Sequence, residues 1–270
     1  MKKAILGLFI SALLIYLSVK DTDFQRVIYG MTKMGYGYIL PFLLITLLMQ
    51  ALRAWRWGLI LRPLGKLGQM RILAIASVGF LAITALPARL GELLRPYLVA
   101  RSSDISMSAA LGTVFVERFL DCVTILAIAS LTAFFAALPP WLAKAGFVFL
   151  LFNLALLAVI FCAVFRRPFL ESFVHYFIRR WPASWSERLS QLFRHFLDGF
   201  RIVGDGSRLW QVLLLSCLIW LVNGLAIYAL FQAFDFSLSP VAAFVLMIVL
   251  IIGIAIPTAP GFIGNWHFSC

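Results

Sequence analysis

The chain has 270 residues, 63% of them hydrophobic and only 13% charged, a balance that excludes a soluble globular domain of this length. Its 23 Lys and Arg stand against 11 Asp and Glu, for a formal charge of +12. In a soluble protein that excess would raise nucleic acid; here the cations flank apolar runs, which points to anionic lipid head groups and to no nucleic-acid partner.

Lys2 and Lys3 precede an apolar stretch, 4–19, whose exit reads SVKDTD without a small-x-small cleavage site. A retained first span is expected, not a signal peptide. Further runs long enough to cross about 30 Å of hydrocarbon fall at 37–60, 107–136, 142–165 and 209–231. Two other runs, 72–86 and 239–256, each stop at a proline followed by a glycine, and these read as broken, re-entrant helices. Cys122, Cys162, Cys217 and Cys270 all lie in apolar segments, with no CxxC and no His at ligand spacing. They read as small buried residues, and neither a metal nor a cofactor is expected.

Orientation follows from the cations of the short loops, which are held on the cytoplasmic side. Segment 53–71 carries Arg53, Arg56, Arg62, Lys66 and Arg71 without an acid, and 166–208 carries eight Arg against Glu171, Glu187, Asp198 and Asp205. Both are expected inside; the loops around 137–141 and 232–240 hold no Lys or Arg and are expected outside. The amino terminus is then cytoplasmic, in a multi-pass membrane protein. Segment 72–101 leaves and returns on one side, as a hairpin dipping into the membrane. Non-helical backbone at that depth is tolerated only against protein or a water-filled cavity.

Within 166–208, Phe169, Leu170, Phe173, Val174, Phe177 and Ile178 recur at helical spacing, and Ser184 with Glu187 forms a capping-box pattern ahead of Leu189, Leu192, Phe193, Phe196, Leu197 and Phe200. Two amphipathic helices in the head-group region are expected, with His175 and His195 as solvated or interfacial imidazoles.

The two proline breaks resemble each other: ALPARLG at 85–91 aligns without gaps on AIPTAPG at 255–261. Each follows the same order of span, span and broken hairpin, the first hairpin entering from the cytoplasmic side and the second from outside. The fold class expected is therefore an all-α polytopic membrane protein in a single domain, built of inverted-topology repeats, about 1–136 and about 142–270, each with a proline-broken re-entrant hairpin. Such paired broken segments point to a transporter with its substrate site at the midplane. The second repeat lacks a counterpart of span 107–136, so a longer form with one more span is expected to be the active one.

Span 107–136 carries Glu117, Arg118 and Asp121 near its middle, where each ionisable group costs about 2.5–3.5 kcal/mol to insert. Glu117 and Asp121 share a face one turn apart, and Arg118 can partly neutralise Asp121. The group reads either as a polar cavity wall or as a salt bridge pinning this helix to Arg53 or Arg56. In the first hairpin, Arg89, Glu92 and Arg95 lie three apart and form one charged stripe on a half-helix. An arginine fork at a helix amino terminus suits a phosphate; the alternative is arginines snorkelling to the interface. Pro87 and Gly91 shape this hairpin, and Pro257, Pro260, Gly261 and Gly264 shape the second. There Asn265 and His267 supply neutral polar groups, His267 being either functional or merely packed.

Taken in order, RAWRWGLILRP, LPARLGELLRPYL, ERFLD and PTAPGFIGNW resemble the lysylphosphatidylglycerol synthase transmembrane-region family, also called the flippase-like domain family, over roughly 50–270. The resemblance implies a polytopic inner-membrane fold and, in members fused to aminoacyl-lipid synthases, movement of lipid between leaflets. Carried over by position, the matching residues are Arg53, Trp57, Pro87, Arg89, Gly91, Glu92, Arg95, Glu117, Arg118, Asp121, Pro260, Gly261 and Gly264. No soluble synthase domain follows in this sequence, so lysyl-lipid synthesis does not carry over.

The function expected is a lipid translocase, not an enzyme, that moves a phospholipid or other anionic, phosphate-bearing lipid between leaflets. Arg89, Glu92, Arg95, Asn265 and His267 would meet the substrate; Glu117, Arg118 and Asp121 would form the polar wall. Two alternatives stand beside it: a non-catalytic membrane partner of a glycosyltransferase or lipid synthase, and a polyprenyl-phosphate-processing enzyme with Glu92, Glu117 and Asp121 as metal ligands.

Overall fold

A computed structural model describes residues 23–85, 91–135, 140–178 and 182–255, together with Tyr16, Lys20 and Arg180. Span 4–19 and both proline breaks, with Pro87, Arg89, Pro257, Pro260, Gly261, Gly264, Asn265 and His267, lie outside the described residues apart from Tyr16.

Every regular element among the described residues is helical. In chain order they are α1 (Phe24–Lys33), α2 (Ile39–Leu61), α3 (Gln69–Ala85), α4 (Gly91–Ser102), α5 (Met107–Phe135), α6 (Pro140–Phe165), α7 (Arg167–Ile178), α8 (Ala183–Asp198), α9 (Gly206–Ala233) and α10 (Pro240–Ala255), with short 3-10 turns at Tyr36–Tyr38 and Arg201–Gly204. Three stretches are long and apolar enough to cross a membrane: Tyr36–Leu61, Gly146–Phe165 and Gly206–Ala233. At 29 residues α5 is as long as these, but its three central charges set it apart in composition. α6 is apolar all round and exposes Phe147, Leu151, Phe152, Leu154 and Phe161, as expected of a helix solvated by acyl chains.

Three details depart from the sequence reading. The segment between the first two spans, to which the sequence reading gives no element, contains α1, which exposes Phe24, Val27, Ile28 and Met31 at the i, i+3, i+4, i+7 spacing of one helical face. α8 starts one residue ahead of Ser184, with Pro182 at its N-cap and no side-chain cap, so the Ser184–Glu187 box is not what begins it. Cys217 is exposed and Cys122 and Cys162 only half-buried; in a chain surrounded by lipid, a thiol on the outer face carries little desolvation cost.

α3 and α4 run antiparallel. Arg71 donates to the Ser102 carbonyl at 3.2 Å, Gly79 faces the Arg95 side chain, and Gly91 sits on the backbone of Ala82 and Ile83. α5 crosses the end of α8 where Gly112 meets Phe196 O and Gly199. Both crossings place glycine where a Cβ would strike backbone, the close-approach device of membrane helix packing.

Two apolar clusters lie inside. Trp57, Leu61, Ile72, Ala76, Val99 and Ala109 knit α2–α5 together; Ile60, Phe119, Leu120, Ile160, Phe200 and Val212 join α2, α5, α6 and α9 around the 3-10 turn after α8. The Arg71–Ser102 bond and the approach of Gly65 to Ile105 bring the basic segment 62–71 and the turn 101–106 to one end of the bundle, where Arg208 shares a cavity with Arg62 and Lys66. At the other end Gly35 N–H donates to Ala233 O at 2.7 Å. Beside it α9 ends with Asp235 at φ 57°, which lets Phe236 N–H reach back to Phe231 O at 2.9 Å.

At the basic end α7 and α8 pack on each other. Arg167 is held by Glu171 at 2.9 Å and Asp198 at 3.1 Å, and its hydrogen bond to Glu171 raises the guanidinium pKa further. Phe169, Phe173, Tyr176 and Phe177 remain exposed along α7, consistent with a helix lying in a head-group layer.

Candidate functional site

Four helices converge on one polar knot inside the bundle. Arg56, on the inner face of α2, is 1% exposed, and its guanidinium forks onto both acids of α5. One nitrogen, Nη1, donates to Asp121 Oδ1 at 2.6 Å and to Ser216 Oγ of α9 at 2.8 Å; the other, Nη2, donates to Glu117 Oε1 at 2.9 Å. Glu117 and Asp121 meet the same fork because residues four apart on a helix share a face. Asp121 Oδ1 also accepts from the Trp220 indole of α9 at 3.1 Å.

Arg95 of α4 closes the knot. It is 1% exposed, its Nη1 lies 3.0 Å from Glu117 Oε2, and its guanidinium is 4.1 Å from the centroid of the Trp57 ring and 5.4 Å from that of Phe80. Trp57 is fixed in turn by a 3.1 Å bond from its Nε1 to Thr113 Oγ1. Gly79 makes this possible, since a Cβ there would overlap the Arg95 stem. Arg53 lies over Phe80, 5.2 Å from the ring centroid, and makes no ion pair among the described residues. Arg118 stands at the edge, 42% exposed, with Nη1 3.5 Å from Asp121 Oδ2 and Nη2 3.8 Å from Glu117 Oε1.

The charged stripe expected along α4 is divided. Arg95 turns inward to Glu117 and is far from snorkelling, whereas Glu92 is half-buried, makes no ion pair among the described residues, and acts on Arg118 only through space. Glu117, Arg118 and Asp121 come together as the sequence suggests, and of the two arginines offered as anchors it is Arg56 that binds them. Ser216, Trp220 and Thr113 were not anticipated, because a hydroxyl or an indole in an apolar run carries no visible cost.

Four guanidinium groups (Arg53, Arg56, Arg95, Arg118) face two buried carboxylates, so the knot has two positive charges in excess, or one if Glu92 is included. Four buried donors of the knot, Arg56 Nε, Arg95 Nε, Arg95 Nη2 and Arg118 Nε, have no hydrogen-bond partner, against one acceptor, Glu117 Oε2, which Arg95 meets only as an ion pair. A buried donor left dry costs about 1–3 kcal/mol, and an anionic oxygen is the acceptor that best offsets both the charge and the unmet N–H groups. Both carboxylates are already engaged by arginines. Among the described residues no three of His, Cys, Asp and Glu converge as a metal site would require.

Two membrane proteins are similar to the chain, each at 26% identity. One, a UPF0104 membrane protein of Methanothermobacter thermautotrophicus, aligns over 246 residues, 84% of this chain and 72% of its own length. The other, a UPF0104 membrane protein of Methanocaldococcus jannaschii, aligns over 158 residues, 56% of this chain and 61% of its own. No solved structure matches. The family model described as lysylphosphatidylglycerol synthase TM region matches residues 4–270, a range that takes in every helix of the knot, and the chain belongs to that family.

Proposed function

We propose that this membrane protein moves an anionic, phosphate-bearing lipid between the leaflets of the inner membrane, with its amino terminus and basic end in the cytoplasm. The observation that carries this reading is the cationic excess of the knot together with its unpartnered guanidinium donors. A head group crossing hydrocarbon needs such a surface, since a bare charge at the bilayer centre costs at least about 2.5–3.5 kcal/mol. In this reading the α3–α4 pair is a re-entrant hairpin broken at Pro87, its counterpart breaks at Pro257 and Pro260, and the two belong to inverted repeats. Arg95, and Arg89 in the break, engage the phosphate; Glu117, Asp121 and Arg118 hold the wall against which it passes, and Asn265 and His267 face it from the second hairpin.

The test is leaflet accessibility of fluorescent phosphatidylglycerol and phosphatidylethanolamine in liposomes carrying the purified chain. Movement of the anionic lipid that is lost in Arg95→Gln is expected. Unchanged accessibility for every lipid tried overturns the proposal and leaves a non-transporting partner of a lipid synthase or glycosyltransferase.

A further inference from the structure

We propose that a second anion site, separate from the knot, lies in the cavity at the basic end of α2 and takes a phosphate ester, either the head group of an anionic phospholipid or a free phosphate ester. The cavity is about 440 Å³, within the usual size of small-ligand sites. Arg62, Lys66 and Arg208 line it, and no acid does. Asp205 offsets only one of the three cations, its Oδ2 lying 3.2 Å from Arg208 Nε. Arg62 and Lys66 are exposed and make no ion pair among the described residues. Two positive charges therefore remain.

The backbone adds to them. Gln69, the first residue of α3, stands in the wall, and the first N–H to be bonded back along that helix is Ile72 N to Gly68 O. The preceding amides thus present the positive end of the helix to the cavity. The floor is apolar, formed by buried Leu61 and Ile72, and its depth depends on Gly58, where a Cβ would strike Gln69 Oε1. A cationic rim over an apolar floor suits a phosphate attached to glycerol and acyl chains. Arg62 is six residues beyond Arg56, about 9 Å along α2, so this site is distinct from the knot and stands whether or not the knot moves lipid.

The experiment is native mass spectrometry of the full chain in neutral detergent, titrated with phosphatidylglycerol, with phosphatidylcholine, or with phosphatidylglycerol against glycerol phosphate. Wild-type protein is expected to retain phosphatidylglycerol in preference to phosphatidylcholine. Each cation removed should weaken retention about fivefold, and Arg62→Gln with Lys66→Gln about twenty-five-fold. Lys66→Gln alone gives the fivefold step should the double variant not elute as a single species. Arg188→Gln, exposed on α8, should bind as wild type. Arg95→Gln should keep the part of the affinity that the double variant loses, which separates this site from the transport proposal. Competition by glycerol phosphate identifies the phosphate group itself as what is held; no competition identifies the intact lipid. Retention by the double variant equal to wild type, or phosphatidylcholine held as firmly as phosphatidylglycerol, overturns the proposal.

Discussion

Arg56 donates to both acids of the knot and to Ser216 of α9. Removing it strands Glu117 and Asp121 as buried acids with only Arg95, Arg118 and Trp220 around them. Breaking a buried pair on one side typically costs about 3–5 kcal/mol, so Arg56→Ala should lower the unfolding midpoint in detergent sharply and cut the monodisperse yield. Arg56→Lys keeps the charge without the fork and should recover only part of both. Arg89→Ala belongs to the transport reading and should slow lipid movement at near-normal protein levels, whereas Asp121→Ala should lower the levels themselves, and Arg95→Gln, which parts a buried pair, should abolish movement in the protein that folds. Normal transport by Arg89→Ala would remove the head-group role of that arginine. Glu117, Arg118 and Asp121 were legible because charges in an apolar run are too expensive to be incidental. The choice between Arg53 and Arg56 was not, because the sequence does not show how α2 is rotated about its axis against α5.

At the level of helices, the contacts that matter are made by atoms that are missing. Gly91→Ala would drive a methyl group into the backbone of Ala82 and Ile83, and Gly112→Ala would do the same to Phe196 and Gly199. Backbone cannot swing aside as a side chain can, so each should destabilise by about 1–3 kcal/mol or more. Gly146 in α6 has open space where its Cβ would lie; Gly146→Ala should be neutral or up to about 1 kcal/mol more stable. Thermal unfolding of the three variants in one detergent checks the order, and equal midpoints would show that these crossings are loose. The long helices were readable nearly to the residue, because apolar length is a strong signal. α1 was not: ten residues between charged flanks carry too little apolar length to stand out. The start of α8 was misplaced because Ser184 and Glu187 mimic a cap while Pro182 supplies the turn.

For the whole molecule, sidedness is relative until a side is labelled. In a chain whose own cysteines are replaced, Ser190→Cys should react with impermeant reagent only from the cytoplasmic face and Phe236→Cys only from outside; the reverse pattern would invert the orientation. The meeting of 62–71 with Arg208 at one end was legible in the counts of Lys and Arg; that of Gly35 with Ala233 was not, since 20–36 holds three cations against two acids. The cavity of Arg62, Lys66 and Arg208 was not, since its members are far apart in the chain. The distribution of bonds within the knot has a mechanical consequence. Every ion pair in it, from Arg56 and Arg95 to Arg118, lies between residues 36 and 135. From the knot across the seam to α9 run two hydrogen bonds among the described residues, Arg56 to Ser216 and Trp220 to Asp121, beside the Gly35 to Ala233 bond at the far end. If the halves slide past one another, those two part and the charges stay clasped on one side. The polar share of the knot's grip on α9 then rests on a hydroxyl and an indole: in the transport reading, Ser216→Ala with Trp220→Phe should leave the fold standing, within about 1–3 kcal/mol per bond, while changing the rate of lipid movement. An unchanged rate would mean that the halves do not move along this seam.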